Sequence, residues 1–172
     1  MFISIGIDED GRPYITTSDG SREKVVRKGK GKSVIDFPST YTVLDIETTG
    51  LDPRYCEIIE ISAMKYSSGQ NIGTFSTLVK PSEPIDEYIT SLTGITNDML
   101  KSAPDISETM QKFYNFVGSD LIVGYNVNFD INFLYDNLLN CRSLILSNSF
   151  IDVMRICLLY TSPSPRDPKT SR

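Results

Sequence analysis

An α/β fold with a mixed sheet is predicted by two features of this 172-residue sequence. Three β-rich runs are joined by tight links bearing Gly, Pro or Ser, and after them the apolar period lengthens from two residues to three or four. The first pattern predicts three antiparallel strands; the second predicts strands alternating with helices that pack on the faces of the sheet. A third observation bounds the answer: 40% apolar and 23% charged residues at this length suit one globular domain with modest additions.

In chain order, residues 1–38 read as an accessory. FISIGI and PYITT flank DEDGR, a hairpin signal with its glycine in the turn, and the basic Gly/Lys stretch RKGKGKS after it reads as a solvated, flexible linker. An arm touching phosphate is the functional alternative for that stretch. YTVLDI, EIIEISAMKY and NIGTFSTLV follow, with TGLDPRY and SSGQ between them short enough for a three-stranded meander. A short helix is expected over 84–91 and a stronger one over 104–117, where Ile106, Met110, Phe113 and Val117 share one face. DLIVGY reads as a buried strand, 128–140 as a helix carrying Phe129, Phe133, Leu134 and Leu138, and SFIDV as a last strand before a helix opened by MRICLL. TSPSPRDPKTSR has no aliphatic side chain, so 160–172 is expected to be a disordered, non-native tail and 39–159 the domain proper.

Composition removes several chemistries. With no His, no imidazole base, nucleophile or ligand is available. Cys56, Cys141 and Cys157 make neither an even set nor a paired ligand spacing, so reduced, mostly buried thiols are expected and zinc is not. No apolar run is long enough to span a bilayer, and MFISIGIDED lacks a basic region before its apolar residues, so a cytoplasmic protein without membrane contact is expected. The net charge of −5 is unevenly placed: residues 1–36 hold seven bases and six acids, residues 37–159 seven bases and fifteen acids. Such a domain repels nucleic acid unless some of its carboxylates hold divalent cations where a phosphate must sit.

The stretch YTVLDIETTGLD suggests where. Side chains two apart on a strand share a face, so Asp45 and Glu47 project together with Val43, while Leu44 and Ile46 take the other side. An apolar strand ending in two such acids carries a like-charge repulsion that cations relieve, although a solvated strand end would also explain the pair. VGYNVNFDINFLYDN supplies the next acid. Asn128 is a suitable helix N-cap, which places Asp130 in the first turn, where free amides and the helix dipole favour an ionised carboxylate. Phe129 and Phe133 are available for packing, leaving Asp130 free to point at the sheet and close a ring with Asp45 and Glu47.

Order, spacing and flanking residues here resemble the DnaQ-like, or DEDD, family of 3′–5′ exonucleases, a group that includes the proofreading exonucleases of bacterial DNA polymerase III. VLDIETTGLD is similar to the family's first motif, NVNFDINFL to its second, and SLTGITNDML followed by APD to the segment beside the nucleotide pocket. The resemblance runs from about Tyr41 to Arg155. It implies an RNase H-like fold, incomplete at the C-terminus, and two Mg²⁺ or Mn²⁺ ions held by Asp45, Glu47 and Asp130. It also implies hydrolysis at a single-stranded or frayed DNA 3′ end with release of nucleoside 5′-monophosphates. Thr48, Thr49 and Gly50 would lie near the terminal 3′-hydroxyl, and Leu51, Leu92, Thr93 and Phe129 would wall the base and sugar; Leu92 and Phe129 fit ordinary core residues equally well. A DNA polymerase catalytic subunit is an implied partner.

One departure from the family pattern stands out. Its third motif, His-x-x-x-x-Asp or Tyr-x-x-x-Asp, supplies a general base and a fourth carboxylate. Here there is no His, and beyond Asp130 no Tyr precedes an Asp by four places; Tyr160 and Asp167 are seven apart. The expectation is therefore a truncated member of the family, weakly active or inactive as written. The alternatives are a non-catalytic nucleic-acid or protein-binding module of the same fold, and an RNA-trimming exonuclease.

Overall fold

The computed structural model describes residues 4–7, 13–16 and 25–161, with side chains over 25–158. Strands β1 (Ser4–Ile7) and β2 (Pro13–Thr16) form the expected antiparallel hairpin, in which Ser4 faces Thr16 and Ile7 faces Pro13. The main sheet begins with the meander β3 (Thr40–Thr48), β4 (Ile58–Ser67) and β5 (Gln70–Leu78). Then come α1 (Glu87–Thr93), α2 (Asn97–Leu100), α3 (Ile106–Val117), β6 (Leu121–Gly124), α4 (Asn128–Arg142), β7 (Phe150–Asp152) and α5 (Val153–Thr161). Apart from Thr161 and its neighbour at the end of α5, the predicted tail lies outside the described residues.

Five strands pair in the order β5-β4-β3-β6-β7. The meander is antiparallel, while β6 and β7 run parallel to β3, so this is a mixed α/β sheet with helical crossovers. The strand carrying Asp45 and Glu47 is thereby central. Its alternation is strict: Leu44 and Ile46 are buried, Asp45 is exposed, and Thr42, fully buried, donates its hydroxyl to Asp120 at 2.8 Å. Beneath Leu44 and Ile46 lies the main core, in which Phe113 of α3 meets Phe75 of β5 edge-on with centroids 6.1 Å apart, and Phe133, Leu134 and Leu138 of α4 are fully buried. Each such side chain adds roughly 1.5–3 kcal/mol by leaving water.

Asp86, Thr96 and Asp105 cap α1, α2 and α3 by accepting the amides of Ile89, Met99 and Glu108. α2 is an addition to the expected elements; its single turn is too short for an apolar period to show, and Leu100 anchors it in a second cluster with Ile59, Ile85, Ile89 and Ile95. No disulfide joins the cysteines. Contrary to the expectation of mostly buried thiols, Cys157 on α5 is exposed and Cys141 near the end of α4 is half-buried, as is Cys56 in the loop between β3 and β4, since all three lie at the margin of the core.

The Gly/Lys stretch is not a solvated linker. Its backbone continues the sheet beyond β7: the amide of Val34 donates to Phe150 O at 2.8 Å and the amide of Phe150 to Lys32 O at 3.0 Å, with Ser33 in a parallel bridge to Phe150. Along α4, Arg27 makes two hydrogen bonds to Asp136, the Lys30 ammonium donates to Asn128 and Asn132 at 2.7 and 2.8 Å, and the Tyr135 hydroxyl donates to Lys28 O at 2.6 Å. Gly31 is obligatory, since a Cβ there would stand 1.7 Å from Asn148 O. Docking through backbone groups and polar side chains leaves no apolar period, which is why the segment reads as linker. Gly31→Ala is expected to dislodge this strap, lowering stability by about 1–3 kcal/mol in thermal unfolding and exposing residues near Lys32 to limited proteolysis; unchanged melting and protection would contradict the contact.

Candidate active site

The acids collect where β3 ends. Asp45 and Glu47 share the face opposite Leu44 and Ile46, and in the antiparallel register Glu47 stands across from Glu60 and Asp45 from Ser62. A register shift between Glu47 and Thr48 breaks the ladder at this point and turns the chain away from the sheet. Glu47 is half-buried, and burial first, then the charges of Asp45 and Glu60, raise its carboxyl above the ordinary range.

Asp130 reaches the same end from α4. β6 and β3 approach closely here: a Cβ on Gly124 would lie 2.7 Å from Leu44 O. The chain then turns through Asn126, in the left-handed region with φ 53°, and enters α4. The N-cap is Val127, which offers no side-chain acceptor, and not Asn128; the side-chain Oδ1 of Asn128 instead accepts from the Lys30 ammonium. As expected, Asp130 sits in the first turn and points to the sheet, where its carboxyl accepts the amide of Ile46.

The expectation that it stays ionised is corrected. Asp130 is only 4% exposed, and burial foremost, with the charge of Asp45 second, pushes its pKa up to about 8 despite bonds from two backbone amides. Desolvation outweighs the helix terminus because the carboxyl is shielded from water by the sheet as well as by its own helix. Nor is the ring closed. Among the described residues no three acidic or thiol side chains are gathered tightly enough to form a ready-made ligand cluster. Asp45 is instead the shared neighbour, raising the pKa of both Glu47 and Asp130, an open arrangement that mutual repulsion favours. The donor set is carboxylate oxygen throughout, which fits a hard divalent cation such as Mg²⁺ or Mn²⁺.

Beside the acids, the loop after β3 is tightly held. Thr48 donates its hydroxyl to Gly50 O at 2.7 Å; the amide of Thr49 donates to Glu57 O and its hydroxyl accepts the Glu57 amide, both at 2.9 Å. Gly50 passes so near Cys56 that a Cβ would stand 2.6 Å from its sulfur. Leu51 projects from this loop, 57% exposed. Leu92, on α1, is 68% exposed, so it is not a core residue, whereas half-buried Phe129 packs on Phe133 with centroids 4.9 Å apart and does belong to the core margin. The Thr93 hydroxyl donates to Ile89 O at 2.9 Å and accepts the Ile95 amide at 3.1 Å, closing the end of α1. A hollow of about 520 Å³ lined by Tyr114, Ser119 and Asn148 lies at the opposite end of β6, away from the acids. Sequence reasoning missed Glu60 and Asp152. Asp152 ends the buried strand β7, the same signal that singled out Asp45 and Glu47, and it is 5% exposed.

Sheet order and acid placement together define a mixed α/β domain with carboxylates at the end of its central strand. The comparison with family models makes this specific: the model described as Exonuclease, of the RNase T type, matches residues 42–167, and the chain belongs to that family. Curated relatives named DNA polymerase III PolC-type include those of Thermotoga petrophila, 40% identical over 118 residues, or 69% of this chain and 9% of the relative. That of Bacillus subtilis is 39% identical over 120 residues (68% and 8%), and that of Caldanaerobacter subterraneus 38% identical over 148 residues (86% and 10%). The chain thus spans about a tenth of the length of these relatives. Among solved structures, E. coli Exonuclease I in complex with an oligonucleotide matches with a TM-score of 0.59 at 23% identity, covering 70% of this chain and 30% of that one. A metal-free E. coli ExoI–ssDNA complex matches with 0.61 at 21% identity, covering 72% and 30%. At such identities the likeness establishes the fold: the predicted mixed sheet is the one that these exonucleases share. Among the described residues no helix is long and apolar enough to cross a membrane.

A buried acid titrating near 8 has a consequence for the metal-free protein. Because the pKa of Asp130 is raised in the folded state from 3.8 to about 8, its contribution to stability is full below the unfolded value and is lost as pH rises through the folded one. Asp130→Asn, melted in chelator, should match the parent near pH 4 and exceed it by about 3 °C or more near pH 8.5. An advantage independent of pH would contradict the assigned burial.

Proposed function

We propose that this chain is a metal-dependent 3′–5′ exonuclease domain of the proofreading type, hydrolysing the terminal phosphodiester of a single-stranded or frayed DNA end and releasing nucleoside 5′-monophosphates. The observation that carries the reading is the placement of Asp130, buried and aimed at the central strand, beside Asp45 and the adjoining Glu47. Three acids with no compensating base among the described ion pairs have a physical reason to share one end of a sheet if cations join them there. Asp45, Glu47 and Asp130 would hold two Mg²⁺ or Mn²⁺ ions. When bound, such a pair supplies a hydroxide nucleophile at neutral pH and neutralises charge developing on the phosphate.

The remaining roles fall to the chain itself. Thr48, Thr49 and Gly50, fixed by their bonds to one another and to Glu57, would orient the terminal 3′-hydroxyl. Exposed Leu51 and Leu92, with Thr93 and the free edge of Phe129, would wall the sugar and base without selecting among bases, since every base offers an apolar face. The charge of −8 carried by residues 37–159 keeps DNA away until the acids are neutralised, so substrate binding would follow metal binding. A cytoplasmic polymerase subunit would present the DNA end, as the PolC-type relatives suggest.

With no His in the given sequence, no imidazole takes the proton of the attacking water, an omission worth about 10²- to 10⁴-fold in rate. Mn²⁺ titration should show binding that Asp45→Ala and Asp130→Ala each remove. A single-stranded DNA assay with Mn²⁺ should show turnover at least about 100-fold below that of a chain extended through a His/Asp motif. Equal rates would sink the assigned deficit, and absence of Mn²⁺ binding would sink the metal site.

A further inference from the structure

We propose that Asp152 is a positioning residue of this site: it sets the turn from which α4 starts and so fixes where Asp130 stands. The inference deepens the function proposed above and rests on it for the meaning of the metal readout. One oxygen of Asp152 accepts two backbone amides from separate elements, that of Asn126 at 3.0 Å and that of Met154 at 3.1 Å. The carboxyl is 5% exposed, so the first bond ties the end of β7 to the β6–α4 turn in the interior and is shielded from water.

That turn has a defined shape. Asn126 holds φ 53°, a left-handed conformation that Asn adopts more readily than other non-glycine residues, and the bond from its amide to Asp152 fixes the turn against β7. Its carbonyl accepts the amide of Phe129 at 3.0 Å, and Val127 O accepts that of Ile131 at 2.9 Å, so the first turn of α4, with Asp130 in it, is built directly on Asn126 and Val127. Helices α1, α2 and α3 each draw a side-chain N-cap from the residue before them, but α4 has none at Val127; Asp152 supplies the constraint from the neighbouring strand β7.

Asp152 also stands immediately before α5 and accepts the amide of Met154 in its first turn, as an N-cap does. Asn accepts an amide as Asp does, without adding a negative charge near Asp130, whose pKa Asp152 helps to raise. Positioning by hydrogen bond and repulsion by charge can be separated, because Asp152→Asn keeps the first and removes the second, whereas Asp152→Ala removes both.

The test combines amide exchange on the metal-free protein with Mn²⁺ titration. Asp152→Ala should speed exchange at Asn126, Phe129 and Ile131 by more than about 10-fold, leave the β3–β5 amides unchanged, and weaken Mn²⁺ binding about 10- to 100-fold. Asp152→Asn should restore exchange to the parent rate and Mn²⁺ affinity to within about 3-fold. If Asp152→Ala does not fold, Asp152→Ser, whose side chain is too short to reach Asn126, is measured in its place. Parent-like exchange at Phe129 and Ile131 in these variants, or acceleration confined to Met154, overturns the inference. A parent protein that binds no Mn²⁺ overturns the proposed function instead, and the exchange result still decides the role of Asp152.

Discussion

Asp130, 4% exposed, turns its carboxyl from α4 toward Ile46 of the central strand and into the field of Asp45, and the arrangement of the sheet is what makes that approach possible. A parallel pairing of β6 with β3 brings the start of α4 to the end of the central strand. Gly124 lets the two backbones close to a distance at which any side chain would collide with Leu44 O. The core formed by Phe113, Phe133, Leu134 and Leu138 then holds α4 down, so that opening the acidic site means lifting a helix from its packing. Burial thus keeps the Asp130 carboxyl protonated up to a pH of about 8.

The same helix is gripped on its far side by residues 27–34. Arg27 and Lys30 bind Asp136, Asn128 and Asn132, and the strap adds backbone pairing to β7, the strand that ends in Asp152. α4 therefore stands between two polar attachments, one from the chain that precedes the domain and one from the end of β7, each bearing on its first turns. Basic residues at this place answer part of the negative charge of residues 37–159, Arg27 through its ion pair with Asp136.

The family match and the likeness to Exonuclease I agree on the fold of this domain. The PolC-type relatives are about ten times longer than the matched segment, so what surrounds such a domain in those proteins is a property of the larger chains. Within this chain, the chemistry turns on how the acids near β3 are held relative to one another.

The order of the strands and helices, the central place of VLDIET and the face of β3 on which Asp45 and Glu47 lie were legible in the sequence, because alternation and helical period report which side of an element faces the core. Three things were not. The ionisation of Asp130 depends on how much water the folded sheet excludes, a quantity with no local signature. The strap over residues 27–34 docks through main-chain bonds and a glycine, so no apolar pattern marks it. Asp152 meets Asn126 across 26 residues of chain, and a hydrogen bond between a side chain and a distant amide is decided only when β6 and β7 pair. Periodicity is a local property and reveals faces; desolvation and long-range polar contact arise from the whole fold, and only the tertiary structure could supply them.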